Sequence, residues 1–218
     1  MNGKFSYENF EIRVKTNSLK GRSGGNLVYA AFDTGRLAGN IWESVSVIVV
    51  KETHWHSQAG KELRMILSVS RRTDVPNYYS DWFINRVKEG CLYVRNPMNS
   101  HQISRIHCSP EAVDCIVFWT KNPANMLDKL DSLGDYIYYF QFTLTGYGRD
   151  MEPNLPDKRA KLIPTFRKLS EKIGTERVIW RYDPILLSPR YTMDYHLKAF
   201  AEIADNLTGY TERVVISF

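Results

Sequence analysis

Five apolar runs in this sequence end abruptly in polar or ionisable residues, and those endings are where chemistry could be done. "SVSRRTDVP" delivers Ser70, Arg71, Arg72, Thr73 and Asp74, and "VFWTKNP" delivers Thr120, Lys121 and Asn122. "FQFTLTGYG" carries Gln141, Thr143 and Thr145, "WRYDP" carries Arg181, Tyr182 and Asp183, and "VISF" carries Ser217. Arginine recognises carboxylate and phosphate with two parallel hydrogen bonds, so Arg71, Arg72, Lys121 and Arg181 together suit an anionic ligand. Asp74 and Asp183 either pair with these cations across strand ends or, left free, act as general bases. Lys121 either binds an anion at a helix start or, desolvated beside other cations, serves as an amine nucleophile. Lys121, Asp74 and Asp183 are thus the candidate catalytic residues. The remaining twelve are candidates for holding a substrate or an anion.

These endings have meaning only if one fold brings them together. From Met65 onward, strand-like and helix-like stretches alternate. "MILSVS" (65–70), "VDCIVFW" (113–119), "YIYYFQFTL" (136–144), "RVIWRY" (177–182) and "RVVISF" (213–218) read as strands. Between them, 77–90, 122–134, 157–174 and 192–209 carry apolar residues at helical spacing, and each stops on a glycine. Asn122 and Thr192 are the expected N-caps, with Pro123 in the first turn. Several of the strand runs are apolar nearly throughout, which implies burial on both faces, as in parallel sheets. The expected fold is α/β: βα units on a mainly parallel sheet, forming part of a TIM-like (β/α) barrel. In such folds every strand C-terminus lies on the ligand-binding face. Residues 91–112 break the rhythm as a short hairpin or an excursion.

Residues 1–64 read as an N-terminal extension, strand-rich if folded, ahead of an incomplete (β/α) domain over 65–218. They contain "LKGRSGG" (19–25), with the composition of a flexible linker, and the strand-like runs "NLVYAAF" and "SVSVIVV". The last strand has no helix after it, so the chain reads as truncated relative to a larger parent, with exposed apolar area that invites self-association.

Composition narrows the classes. The chain has 218 residues, 43% hydrophobic and 13% aromatic, enough for a real core. No apolar run approaches the roughly 20 residues of a membrane span, so no membrane contact is expected. With three cysteines and no secretory leader pattern, the expected compartment is the cytoplasm. A net charge of +5 favours an anionic partner: a small molecule, or a nucleic acid. Two histidines in "HWH" (54–56) lack a third ligand, and Cys91, Cys108 and Cys115 lack zinc or iron–sulfur spacing, so no metal site is expected. Walker A, dinucleotide and Ser-His-Asp motifs are absent from the sequence.

Six stretches also carry a resemblance: "MILSVSRRTDVPNYYSDWFINRVKEG", "YVRNPMN", "VDCIVFWTKNP", "FQFTLTGYGRDMEPNLP", "RVIWRYDPIL" and "VVISF". In that order they resemble domain of unknown function family 1848, a mainly bacterial family without a known reaction. The resemblance spans about Met65 to Phe218. It implies a (β/α) barrel-like enzyme. Its members carry a C-terminal cysteine cluster similar to that of radical S-adenosylmethionine enzymes, which implies a [4Fe–4S] cluster and S-adenosylmethionine in the full-length family. The cationic strand ends would then meet that cofactor's carboxylate or an anionic substrate. This chain lacks the cysteine cluster, so no cofactor is expected on it and it is expected to be inactive alone. Two other readings stand beside that one. A basic nucleic-acid-binding or repair module would use Trp119, Trp180 and Tyr182 for stacking. An inactive remnant would explain the extension and the uncovered last strand.

Overall fold

The computed structural model describes residues 4–7, 10–14, 47–50, 65–70, 73–96 and 99–217. Among the described residues ten strands fall in the order β1 (Lys4–Tyr7), β2 (Phe10–Val14), β3 (Val47–Val50), β4 (Met65–Val69), β5 (Cys91–Asn96), β6 (Asn99–His107), β7 (Val113–Thr120), β8 (Tyr138–Thr143), β9 (Val178–Tyr182) and β10 (Arg213–Ile216). Four α-helices accompany them among the described residues: α1 (Val75–Tyr78), α2 (Ser80–Lys88), α3 (Ile163–Ile173) and α4 (Met193–Leu207). A 3-10 helix over Ala124–Leu133 and a π turn over Lys158–Leu162 complete the βα alternation. The class is α/β, as the sequence reading expects. Among the described residues no helix is long and apolar enough to cross a membrane.

The chain forms two compact units, one of Met1–Lys20, Thr120–Ala124 and Tyr139–Phe218, the other of Gly21–Trp119 and Asn125–Tyr138. In the first, β8, β9 and β10 run parallel, β2 adds to β10 in parallel, and β1 turns back antiparallel on β2. In the second, β4 and β7 pair in parallel and β3 adds antiparallel to β4. Part of the sequence before Met65 therefore extends sheet edges. The runs 19–25 and 26–32 and the histidines at 54–56 lie outside the described residues.

Burial follows the apolar runs. Leu67 and Val69 on β4, Ile116 and Phe118 on β7, and Phe140 and Phe142 on β8 are wholly buried. Consecutive residues of β7 and β8 are buried on both faces, as strands covered by helices require. On β9 the pattern alternates instead: Val178, Trp180 and Tyr182 point inward while Ile179 and Arg181 are half-buried. In the first unit Phe142 packs on Phe166 of α3 at 5.0 Å, and Trp180 stacks on Phe200 of α4 at 4.7 Å. In the second, Phe83 of α2 meets Phe118 edge-on at 5.3 Å.

The helices depart from the sequence reading in instructive ways. The stretch expected as one helix from 77 begins at Val75, because Asp74 caps it and Pro76 suits a first turn. It then breaks at Tyr79, whose φ of −134° is not helical. The stretch from 122 is a 3-10 helix, long for that conformation, that buries Met126, Leu130 and Leu133. Thr192 caps α4 as expected, its hydroxyl accepting from the Tyr195 amide at 3.2 Å. Gly90 and Gly209 stop their helices at φ of +68° and +81°, where a side chain would be strained; Gly134 does not take positive φ. Residues 91–107 are a two-stranded hairpin, β5–β6.

Candidate functional site

Lys121 follows the last residue of β7 and directs its ammonium onto a carboxylate absent from the sequence-based candidates. Lys121 Nζ donates to Glu152 Oε1, and Lys158 Nζ donates to Glu152 Oε2 at 2.5 Å. Thr145 Oγ1 adds a third donor to Oε2 at 3.1 Å. The Glu152 side chain is only 7% exposed. Lys158 also donates to the carbonyls of Thr145, at 2.7 Å, and Tyr147, so all three of its N–H groups are engaged. Lys121 is different: its side chain is 42% exposed and reaches solvent.

Local backbone explains the arrangement. After Thr143 the chain leaves β8, and a turn returns it: the Met151 and Glu152 amides both donate to Gly148 O, at 3.1 and 2.9 Å. Tyr191 pins that turn, its hydroxyl donating to Asp150 Oδ1 at 2.6 Å and accepting from the Gly148 amide at 3.0 Å. The Tyr191 bond comes first among the effects that hold the Asp150 carboxyl below its usual value. Asp157 then caps the π turn by accepting from the Ala160 amide at 2.7 Å, which starts Lys158 in the right place. Burial pushes the Glu152 carboxyl up, but the two ammonium groups outweigh it and keep it below the usual range. Burial also lowers Lys158, against the raising effect of Glu152. The trio sums to one net positive charge, and Lys121 is its most exposed member. Beside it lies a pocket of about 440 Å³ lined by Thr145, Tyr147, Arg149, Glu152, Lys158 and Tyr195, among others.

A second cluster stands on β9 and β10. Asp183 accepts from Arg181 through Oδ2 and from Ser217 through Oδ1. Arg181 Nη1 reaches Gln141 Oε1 at 3.4 Å, and Thr143 faces Arg181 across the ladder. Asp183 is thus paired with a cation across the strand end. Each carboxylate oxygen accepts one of these hydrogen bonds.

The other candidates have varied situations. Thr120 is buried and its Oγ1 accepts from the Asn122 amide at 3.0 Å, while Asn122 Oδ1 accepts from the Ala124 amide at 3.3 Å. Tyr182 is fully buried, and its hydroxyl contacts His196 Nδ1 at 3.0 Å. Its ring packs edge-on against Trp180 and Phe200 in the core. Trp180 is equally buried, and Trp119 Nε1 donates to Ser68 Oγ at 3.0 Å. In the other unit, Asp74 Oδ1 caps α1 from the Asn77 amide at 3.1 Å, Ser70 Oγ accepts from the Val75 amide at 3.0 Å, and Thr73 is half-buried. Ser70 takes a left-handed φ of +84°, a strained state for a non-glycine residue. Arg71 and Arg72 lie outside the described residues.

Sequence reasoning missed Glu152 and Lys158. The available signal was a pair of acids, Asp150 and Glu152, in the glycine- and proline-rich run "GYGRDMEPNLP" directly after a strand, followed by a lysine opening the next helix. The implied iron–sulfur cluster meets no matching donor set. It needs several thiolates together. Among the described residues no three His, Cys, Asp or Glu side chains group as metal ligands, and burial pushes the Cys108 thiol up to about 11.

A family model described as a domain of unknown function (DUF1848) matches residues 66–218, most of the chain. The chain belongs to that family. No curated protein and no solved structure matches it.

Proposed function

We propose that this member of the DUF1848 family is an α/β enzyme domain that binds a small anionic ligand through Lys121, at the C-terminal end of its strand. The supporting observation is the ammonium of Lys121 fixed by a buried, deprotonated Glu152 whose charge Lys158 already balances. A cation held this way needs little reordering when an anion arrives, so less ordering cost opposes binding. Ligands of α/β proteins bind at strand C-termini for the same topological reason. Within this reading Lys121 binds and orients, and Lys158 and Thr145 fix Glu152.

The finer reading is a radical-type iron–sulfur enzyme working in the cytoplasm on a (β/α) barrel frame, with the ligand an anionic substrate or the carboxylate of S-adenosylmethionine. That part rests on the family resemblance. The three cysteines are free thiols, in keeping with a reducing compartment.

The test is calorimetric titration of the chain with inorganic phosphate, pyrophosphate and S-adenosylmethionine. At least one should bind, and Lys121→Gln should weaken it about tenfold or more. Absence of heat with all three, or an unchanged affinity in Lys121→Gln, sinks the reading.

A further inference from the structure

The hairpin β5–β6 is fixed only at its root. Cys91 and Leu92 are buried, the Cys108 amide donates to Gly90 O at 3.0 Å, and Tyr136 Oη donates to Cys108 O at 2.7 Å. Beyond that root the ribbon leaves the core. From Tyr93 on, no described residue of β5 or β6 is buried, and the two strands pair only with each other among the described residues. An isolated two-stranded ribbon is marginally stable in water. One that still exposes large apolar groups is usually shaped for a partner.

Its two faces differ. Register sets Tyr93 opposite Arg105 and Arg95 opposite Ile103, so these four side chains share one face. Tyr93 is 55% exposed and Ile103 56%, and both arginines are exposed. The opposite face carries Val94, Ser104 and the Asn96–Gln102 hydrogen bond at 2.7 Å. From Cys91 to Cys108 the sequence has no aspartate or glutamate. The face thus alternates aromatic, cation and aliphatic with no acid to neutralise it.

We propose that this ribbon face binds single-stranded nucleic acid, with Arg95 and Arg105 on phosphates and Tyr93 stacking on an unpaired base. Cation plus exposed aromatic is the combination that single strands reward: backbone charge on one side, a base π-face on the other. An acidic peptide would use the arginines but gain little from Tyr93, and a second copy of the chain would bring the same positive charge to the contact. This surface is independent of Lys121 and Glu152, which lie in the other unit.

The experiment is fluorescence anisotropy of the full chain with a labelled oligothymidylate of about 20 nucleotides. Binding is expected at about 50 mM salt, falling steeply by about 200 mM. The double variant Arg95→Glu/Arg105→Glu should weaken it about tenfold or more and flatten the log–log salt slope by about 1.4, the share of two phosphates. Tyr93→Ala should cost about fivefold or more. Unchanged circular dichroism and melting show that these exposed changes leave the fold intact. No binding at low salt, an unchanged affinity in the double variant, equal affinity for polyglutamate, or a Tyr93-dependent dimer in sedimentation each overturns the proposal. Pyrophosphate titration of the same double variant separates this outcome from that of the Lys121 site.

Discussion

Glu152 is held by three donors with little access to water, so its removal should be felt in stability. Glu152→Ala leaves Lys158 partly buried with its carboxylate gone, a change that costs about 3 kcal/mol when a buried pair loses one partner. Urea midpoints measure it, and a loss near zero would mean that water replaces the carboxylate. The pH dependence has a definite sign. The folded value of Glu152 lies below its ordinary 4.5, so its contribution is complete above that pH and fades as pH falls below it. The melting-temperature gap between wild type and Glu152→Gln should therefore shrink in acid. A constant gap would show that shape, not charge, holds the trio. Lys121 was legible in the sequence because it stands where an apolar strand ends. Glu152 was not, because its role comes from a turn in tertiary space that carries no period or motif. Asp183 was legible as half of a choice, and its contacts with both Arg181 and Ser217 come from tertiary placement that the sequence does not display.

At the scale of elements, α4 approaches the loop after β8 closely enough to forbid a side chain. A Cβ on Gly146 would lie 2.6 Å from Ala199 Cβ and 3.0 Å from Tyr182 Oη. Gly146→Ala should destabilise by roughly 1–3 kcal/mol through overpacking. The double variant Gly146→Ala/Ala199→Gly should recover much of that loss, because the clash partner is gone. Chemical denaturation of the four proteins closes the cycle, and no recovery would locate the clash elsewhere. The strands and α4 were readable because apolar runs, caps and helical spacing agree there. The break at Tyr79 was not, since Tyr79, Phe83 and Val87 keep helical spacing across a non-helical residue. Nor did pattern settle 91–112, because a ribbon buried only at its root carries little core-facing alternation in its residue types.

Across the whole molecule, protection should be uneven. Amides of Phe140, Gln141 and Phe142 belong to a strand buried on both faces, whereas those of Ile103, Ser104 and Arg105 belong to the exposed stretch of the ribbon. Hydrogen exchange should be slowest in the first group and among the fastest in the second. Equal protection would mean that the ribbon is covered in solution. A core change such as Phe142→Ala should cost about 3–5 kcal/mol, since Phe142 is wholly buried against Phe166.

The root of the ribbon also contains a clock. Cys91 opens β5 and Cys108 follows β6, so the two thiols bracket the ribbon. With its thiol near 11, Cys108 is thiolate in only about one molecule in a thousand at pH 8, and it is shielded as well. Iodoacetamide should therefore alkylate it no faster than the root opens. Peptide mass spectrometry of Cys108 at rising reagent concentration would give the opening rate where the alkylation rate levels off and the opening equilibrium below that, and an oligonucleotide clamped on the ribbon should slow it.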